Sequence, residues 1–283
     1  MVVEKFIGDD GKVIMSYIDE NLKKNLDKIK YSVLHRSWDY VCVISGIPGV
    51  GKSTLGQVIA KYLDPTFTTK NIFCFTGDGK NGLIERTIKS KLGQAYILDE
   101  SFESLNTRVT RSPEFIRILN HLQLIRQKGL FIILILPDFF SLSKNIAIFR
   151  ASHLFSVYHD KYQRGYFAAF GRPEKRMLYI KGNKYIDYNC VPPNFRGRYV
   201  QKWVADQKLY DKLKLNHLYE QNKRKEKLDS KPDTISRNKL IKAMRDKGTS
   251  TMDIAKICGV TQQTIYNALK TFEDESQKSK SES

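Results

Sequence analysis

A chain of 283 residues that is 41% hydrophobic, with 15 Phe and 15 Tyr, can form one large or two modest domains around a buried core. No stretch approaches the about 18 apolar residues of a membrane span, and the mixed N-terminus with Glu4, Asp9 and Asp10 is not that of a signal peptide. The net charge of +18 is uneven: residues 161–250 hold 23 Lys/Arg against 9 Asp/Glu, which points to nucleic-acid phosphates, the other reading being a merely lysine-rich surface.

Residues 1–38 are expected to form an N-terminal extension, a strand or hairpin followed by a polar helix over 17–30. Tyr40 to Ser45 reads as a buried strand and Ser53 to Leu63 as a helix. Between them Gly46-Ile47-Pro48-Gly49-Val50-Gly51-Lys52-Ser53 fits G-x-x-x-x-G-K-[ST]. Glycines let backbone N–H groups turn toward phosphates, and a helix N-terminus adds favourable partial charge. In this P-loop reading Lys52 reaches the β- and γ-phosphates, Ser53 holds Mg²⁺ and Thr54 touches the α-phosphate. The bare alternative is a glycine-rich turn without a ligand.

The chain then alternates strands and helices. Strands are expected at 71–75, 95–98, 131–136, 153–158, 165–170 and 177–181. Helices are expected near 80–92 and from Pro113 to Lys128, with Gly129 as the stop. This pattern predicts an α/β domain over 39–198, a parallel sheet with helices on both faces. The strand 95–98 ends in Asp99-Glu100. There Asp99 is the Walker B acid, holding Mg²⁺ through water, and Glu100 orients and polarises the attacking water. A second acid suits hydrolysis rather than simple phosphate transfer. The competing reading is a solvent-facing acid pair. No nucleophile–base pair stands out. His35, His121, His153, His159 and His217 lack metal-ligand spacing, as do Cys42, Cys74, Cys190 and Cys258, which are read as reduced, buried thiols of a cytoplasmic protein.

One strand between the P-loop and Walker B strands, and another after them, resembles the additional-strand, catalytic-glutamate class of P-loop ATPases. That resemblance covers roughly residues 40–160 and implies that strand 131–136 carries a sensor and lies between the first and third strands. Within the class, His121-Leu122-Gln123-Leu124-Ile125-Arg126-Gln127-Lys128-Gly129 leading into strand 130–136 resembles the FtsK–HerA and zonular-occludens-toxin-like ATPases of phages and mobile elements. The resemblance implies ATP and Mg²⁺ as cofactors, and a homo-oligomer built as a hexameric ring that pumps or packages DNA. Two departures stand out. The sensor strand ends Leu136-Pro137-Asp138 where the family commonly has a polar residue such as Gln, and the membrane span of the toxin-like proteins is missing. Ring ATPases need a cation from the neighbouring subunit. Arg150 is the first candidate, with Arg126, Arg111 and Arg108 behind it.

Residues 199–233 are expected to be a basic helical linker, 234–271 a three-helix unit, and 272–283 a disordered Glu/Ser/Lys-rich tail. The run from Thr251 to Lys270 resembles a resolvase-type helix-turn-helix. Ala255 is small where helices cross, Gly259 suits a turn with φ > 0, Val260, Ile265 and Leu269 face inward, and Ser250 and Thr261 stand at cap positions. Its second helix would enter the major groove of duplex DNA led by Gln262, Gln263 and Thr264, with Asn267 one turn on. Lys256, Lys270 and Arg245 would touch phosphates. A protein-binding bundle is the other reading. The stretch Arg164 to Arg172 is either a DNA-path lining or a strand with one buried face. Together these features predict an ATP-hydrolysing, DNA-acting ATPase of mobile-element or viral type. The alternatives are a nucleotide-gated transcriptional regulator, a helicase loader, or a small-molecule or nucleotide kinase.

Overall fold

A computed structural model describes residues 2–73, 82–99, 120–123, 125–161, 163–200, 202–216, 219 and 232–270, and divides the chain into two compact units, Met1–Leu215 and Asn216–Ser283. The first opens with a hairpin of β1 (Val2–Ile7) and β2 (Val13–Ile18), paired from Val2↔Ile18 to Ile7↔Val13. Asp19 then caps α1 (Glu20–His35), its carboxylate accepting from Asn21 N at 2.9 Å and Leu22 N at 3.1 Å.

The rest of the unit is built on β3 (Tyr40–Ser45), α2 (Lys52–Leu63), β4 (Ile72–Phe73), α3 (Leu83–Ile88), β5 (Ala95–Leu98), β6 (Phe131–Leu136), β7 (His153–Asp160), β8 (Gln163–Phe170), α4 (Arg172–Gly182), β9 (Phe195–Arg198) and α5 (207–216). One seven-stranded sheet runs β4-β5-β6-β3-β7-β8-β9. The first five strands are parallel, and β8 and β9 join antiparallel. Strand β6 lies between β5 and β3, the position expected of the sensor strand.

Alternation along β3 sends Tyr40, Cys42 and Ile44 into one core and Val41 and Val43 into the other. Helices α1 and α2 supply the first core and α4 the second, so the sheet is covered on both faces, which is why its central strands are apolar throughout. A six-residue π-helix, Asn145–Arg150, precedes β7, and the buried Lys175 of α4 donates to its Ala147 carbonyl.

Several expected elements differ. Residues 177–181 belong to α4, not to a strand. Pro173 stands in the helix's first turn, and the buried positions Lys175, Leu178, Tyr179 and Gly182 recur at helical spacing. Residues 199–200 and 202–206 are not helical. Tyr199, Val204 and Ala205 are buried, and α5 starts only after Asp206, whose carboxylate accepts from Leu209 N at 3.1 Å. Within the stretch 164–172, β8 buries Gly165, Phe167, Ala168, Ala169 and Phe170, so it is a core strand. Of the described cysteines only Cys42 is buried, Cys190 and Cys258 being half-buried. Residues 113–119 and 124 of the helix expected over 113–128, and residues 74–75 of strand 71–75, Cys74 included, lie outside the described residues. Among those described, no helix is long and apolar enough to cross a membrane.

The second unit holds α6 (Pro232–Asp246), α7 (Thr251–Cys258) and α8 (262–270). Ile241, Ile254, Ala255, Ile265 and Ala268 form its core, with Val260 and Leu269 packed against them. Ser250 caps α7 by accepting from Asp253 N at 3.2 Å. Gly259 closes the helix at φ 63, a left-handed conformation that a side chain would strain.

Candidate nucleotide site and nucleic-acid reader

The C-terminal ends of β3, β5, β6 and β7 lie along one edge of the sheet, where ligands of open α/β sheets bind. The loop 46–51 leaves β3 at this edge. It turns into α2 through Gly46, Gly49 and Gly51, all at positive φ. At Gly46 a Cβ would stand 2.2 Å from the Val157 carbonyl oxygen, so backbone meets backbone there. Lys52 begins α2, and its ammonium donates to the Gly46 carbonyl at 2.7 Å and the Ile47 carbonyl at 2.9 Å, inside the loop.

Ser53 donates its hydroxyl to Asp99 Oδ2 at 2.9 Å. Thus the two expected metal-site residues, distant in sequence, meet beside the loop. Asp99 is 3% exposed. A glycine cradle at a helix N-terminus with a serine–aspartate pair beside it fits a nucleotide triphosphate with Mg²⁺. Gly46, Pro48, Gly49, Val50, Gly51, Lys52, Ser53 and Thr54 all belong to this loop and helix start; Thr54 is buried. Glu100, Arg108 and Arg111 lie outside the described residues.

Asp138, at the sensor position, accepts from Phe140 N at 3.2 Å, Ser141 N at 2.9 Å and the Tyr188 hydroxyl at 3.1 Å. The Tyr188 oxygen also lies 3.3 Å from Ser45 Oγ, and burial pushes its phenol well above the usual range. Asp138 therefore orders the strand end next to the loop. It borders a cavity of about 670 Å³ that reaches Gly46, Ile47, Tyr158 and Arg196.

Arg150 is not brought to the loop of its own chain. Its Nε donates to the Leu122 carbonyl at 2.8 Å, and its guanidinium pairs with Asp39, the residue before β3. The whole of β3, about 20 Å at strand rise, separates it from Gly46. With Arg126 and Arg172 it borders a cavity of about 560 Å³ at the other edge of the sheet.

The sequence reading missed a strap formed by residues 199–200 and 202–216. Tyr199 donates its hydroxyl to the Gly51 carbonyl at 2.9 Å, and Gln57 Oε1 accepts from Ala205 N at 3.3 Å. From α5, the Tyr210 hydroxyl donates to Asp99 and lies 3.0 Å from Ser53 Oγ, while Lys214 Nζ stands 3.8 Å from Asp99 Oδ2. Treating 199–233 as a basic helical linker hid this. The aromatic run Tyr199, Trp203, Tyr210 was the available signal, because aromatics of that density bury.

In the second unit Gln262, Gln263, Asn267 and Lys270 are exposed on α8 and Thr264 is half-buried. Gln263 Nε2 donates to Asn267 Oδ1 at 3.1 Å. Thr261 caps the helix by accepting from Thr264 N at 3.3 Å. Tyr266, 56% exposed, is the residue on this surface that the sequence reading did not single out.

No curated protein matches this sequence. Among solved structures, the chain is similar to the N-terminal domain of zonular occludens toxin from Neisseria meningitidis, at 17% identity and TM-score 0.40 over 62% of this chain and 98% of that one. It is also similar to the DNA-packaging ATPase from Sulfolobus Turreted Icosahedral Virus, at 15% identity and TM-score 0.36 over 49% of this chain and 95% of that one. Residues 224–271 match the family described as the helix-turn-helix domain of resolvase. The C-terminal part of this chain is a resolvase-type helix-turn-helix, a DNA-binding module carried on the same polypeptide as a P-loop fold.

Proposed function

We propose that the protein is a Mg²⁺-dependent ATPase that acts on duplex DNA, translocating, packaging or remodelling it while the helix-turn-helix holds a chosen site. The observation that carries this reading is the 2.9 Å contact between Ser53 and Asp99 at the mouth of the glycine loop, in a chain that also bears a DNA reader. Backbone N–H groups of 46–51 bind the phosphates, Lys52 moves from the loop carbonyls to the β- and γ-phosphates, and Ser53 with Asp99 holds the metal. Mg²⁺, when bound, neutralises charge that builds on the phosphate oxygens. Glu100 orients and polarises the attacking water. On DNA, Gln262, Gln263, Thr264 and Asn267 face base edges, and Lys256, Lys270 and Arg245 face phosphates.

The reading extends to a homo-oligomer, a hexameric ring, in which Arg150, released from Asp39, is the first candidate to meet the γ-phosphate held by the next copy, with Arg126 behind it. ATP turnover with and without duplex DNA tests the whole, with Glu100→Gln as the blank. DNA stimulates the wild type, and the variant binds ATP but turns over at least about a hundredfold more slowly. Turnover indifferent to DNA sinks the motor. The nucleotide-gated regulator is the second reading, favoured by the contact of Tyr210 with both Ser53 and Asp99. Slow hydrolysis with nucleotide-dependent operator binding would select it.

A further inference from the structure

Helix α5 docks on the edge of the site that the metal uses. Tyr210 is 3% exposed, and its hydroxyl bonds the oxygens of both Ser53 and Asp99. One turn on, the Lys214 ammonium lies 3.8 Å from the same Asp99 oxygen. Trp203 packs on the Tyr210 ring with centroids 4.9 Å apart, and Tyr199 anchors the start of the strap on the Gly51 carbonyl. Two features conflict with a hydrated Mg²⁺ at Ser53 and Asp99. Tyr210 engages the oxygens that the metal and its water need, and a dication beside Asp99 repels the Lys214 ammonium.

We propose that Tyr210 and Lys214 form a latch that competes with Mg²⁺·nucleotide, so that loading the site drives α5 off Ser53 and Asp99. This rests on the nucleotide-site reading above. Lys214 supplies the buried carboxylate with a counter-charge when the metal does not, and Tyr210 supplies its hydrogen bond. Loading exchanges both for the dication.

Trp203 is the built-in reporter. The chain has two tryptophans, and Trp38 is 56% exposed, so full-length Trp38→Phe protein leaves Trp203 as the single indole. A non-hydrolysable ATP analogue is titrated with Mg²⁺ or with EDTA, and bound analogue is measured separately by equilibrium dialysis. Expected is a Trp203 emission change that tracks Mg²⁺-dependent binding and is small in EDTA. A latch that leaves the metal-competent form at about one part in ten weakens apparent affinity about tenfold. Tyr210→Phe/Lys214→Gln should therefore tighten Mg²⁺·analogue binding by about that factor, while binding in EDTA changes little. Analogue bound with Mg²⁺ but Trp203 silent overturns the latch alone, as does weaker binding by the double variant. No binding of analogue under any condition, matching a Lys52→Ala control, overturns the nucleotide site itself and the latch with it.

Discussion

His153, the first residue of β7, makes the fold of the first unit sensitive to acid. The residue is half-buried, its Nδ1 is buried with no hydrogen-bond partner, and the Tyr40 ring lies 5.5 Å away. Burial, then the cations Arg172 and Lys175, push its pKa down to about 4, with Glu174 opposing. The unfolded chain takes up this proton near 6.5 and the folded chain near 4. Between those values the unfolded state binds more protons, so stability is full at neutral pH and falls as pH drops. Linkage puts the loss at about 2 kcal/mol at pH 5 and about 3 kcal/mol at pH 4. Urea unfolding followed by indole emission reads the right unit, because Trp38 and Trp203 both lie within Met1–Leu215. His153→Phe keeps a flat ring and removes the titration. Carboxylates elsewhere contribute equally to both proteins and cancel in the comparison. Wild type should lose about 2 kcal/mol more than the variant between pH 7.5 and pH 5; parallel losses would refute the argument.

Gly46→Ala should cost about 1–3 kcal/mol of stability and abolish analogue binding, since its new Cβ meets the Val157 carbonyl rather than a side chain that can rotate away. Thermal melting with equilibrium dialysis reads both effects, and normal binding would show that the loop tolerates another path. Ser250→Ala removes the acceptor for Asp253 N and should destabilise the helix-turn-helix by about 1 kcal/mol, read as an earlier helical melting transition. Deleting residues 234–283 should erase sequence preference in DNA binding and spare basal turnover. Retained site selectivity in that truncation would place the reader elsewhere.

Legibility in the sequence followed the strength of the local physics. The P-loop strand and helix, the β5 end and the caps of the helix-turn-helix were readable because glycine, lysine and serine at fixed spacing have few other uses, and because Ser250, Gly259 and Thr261 act within a few residues. The strand order was readable from the family resemblance, with β6 falling between β5 and β3. Met177 to Lys181 was misread because a short apolar run has no period of its own. Its partners Lys175 and Gly182 reveal the helix only when a lysine is allowed to be buried. The strap was illegible for another reason. Tyr199 and Tyr210 find their partners 148 and 157 residues back along the chain, at Gly51 and Ser53, and no local pattern encodes such pairings.

The strap also explains why a motif-based account of this site is incomplete. A carboxylate as buried as Asp99 cannot be left without compensation, because desolvation of a lone charge costs several kcal/mol. On the proposed nucleotide-site reading, an acid that serves a transient metal needs a second set of partners when the metal is absent. Here Ser53 and Tyr210 donate hydrogen bonds and Lys214 brings charge, and the last two come from the helix that leads toward the DNA-binding module. The compensation of one buried acid thus ties Ser53 and Asp99 to helix α5, which is the contact the proposed latch would break on loading.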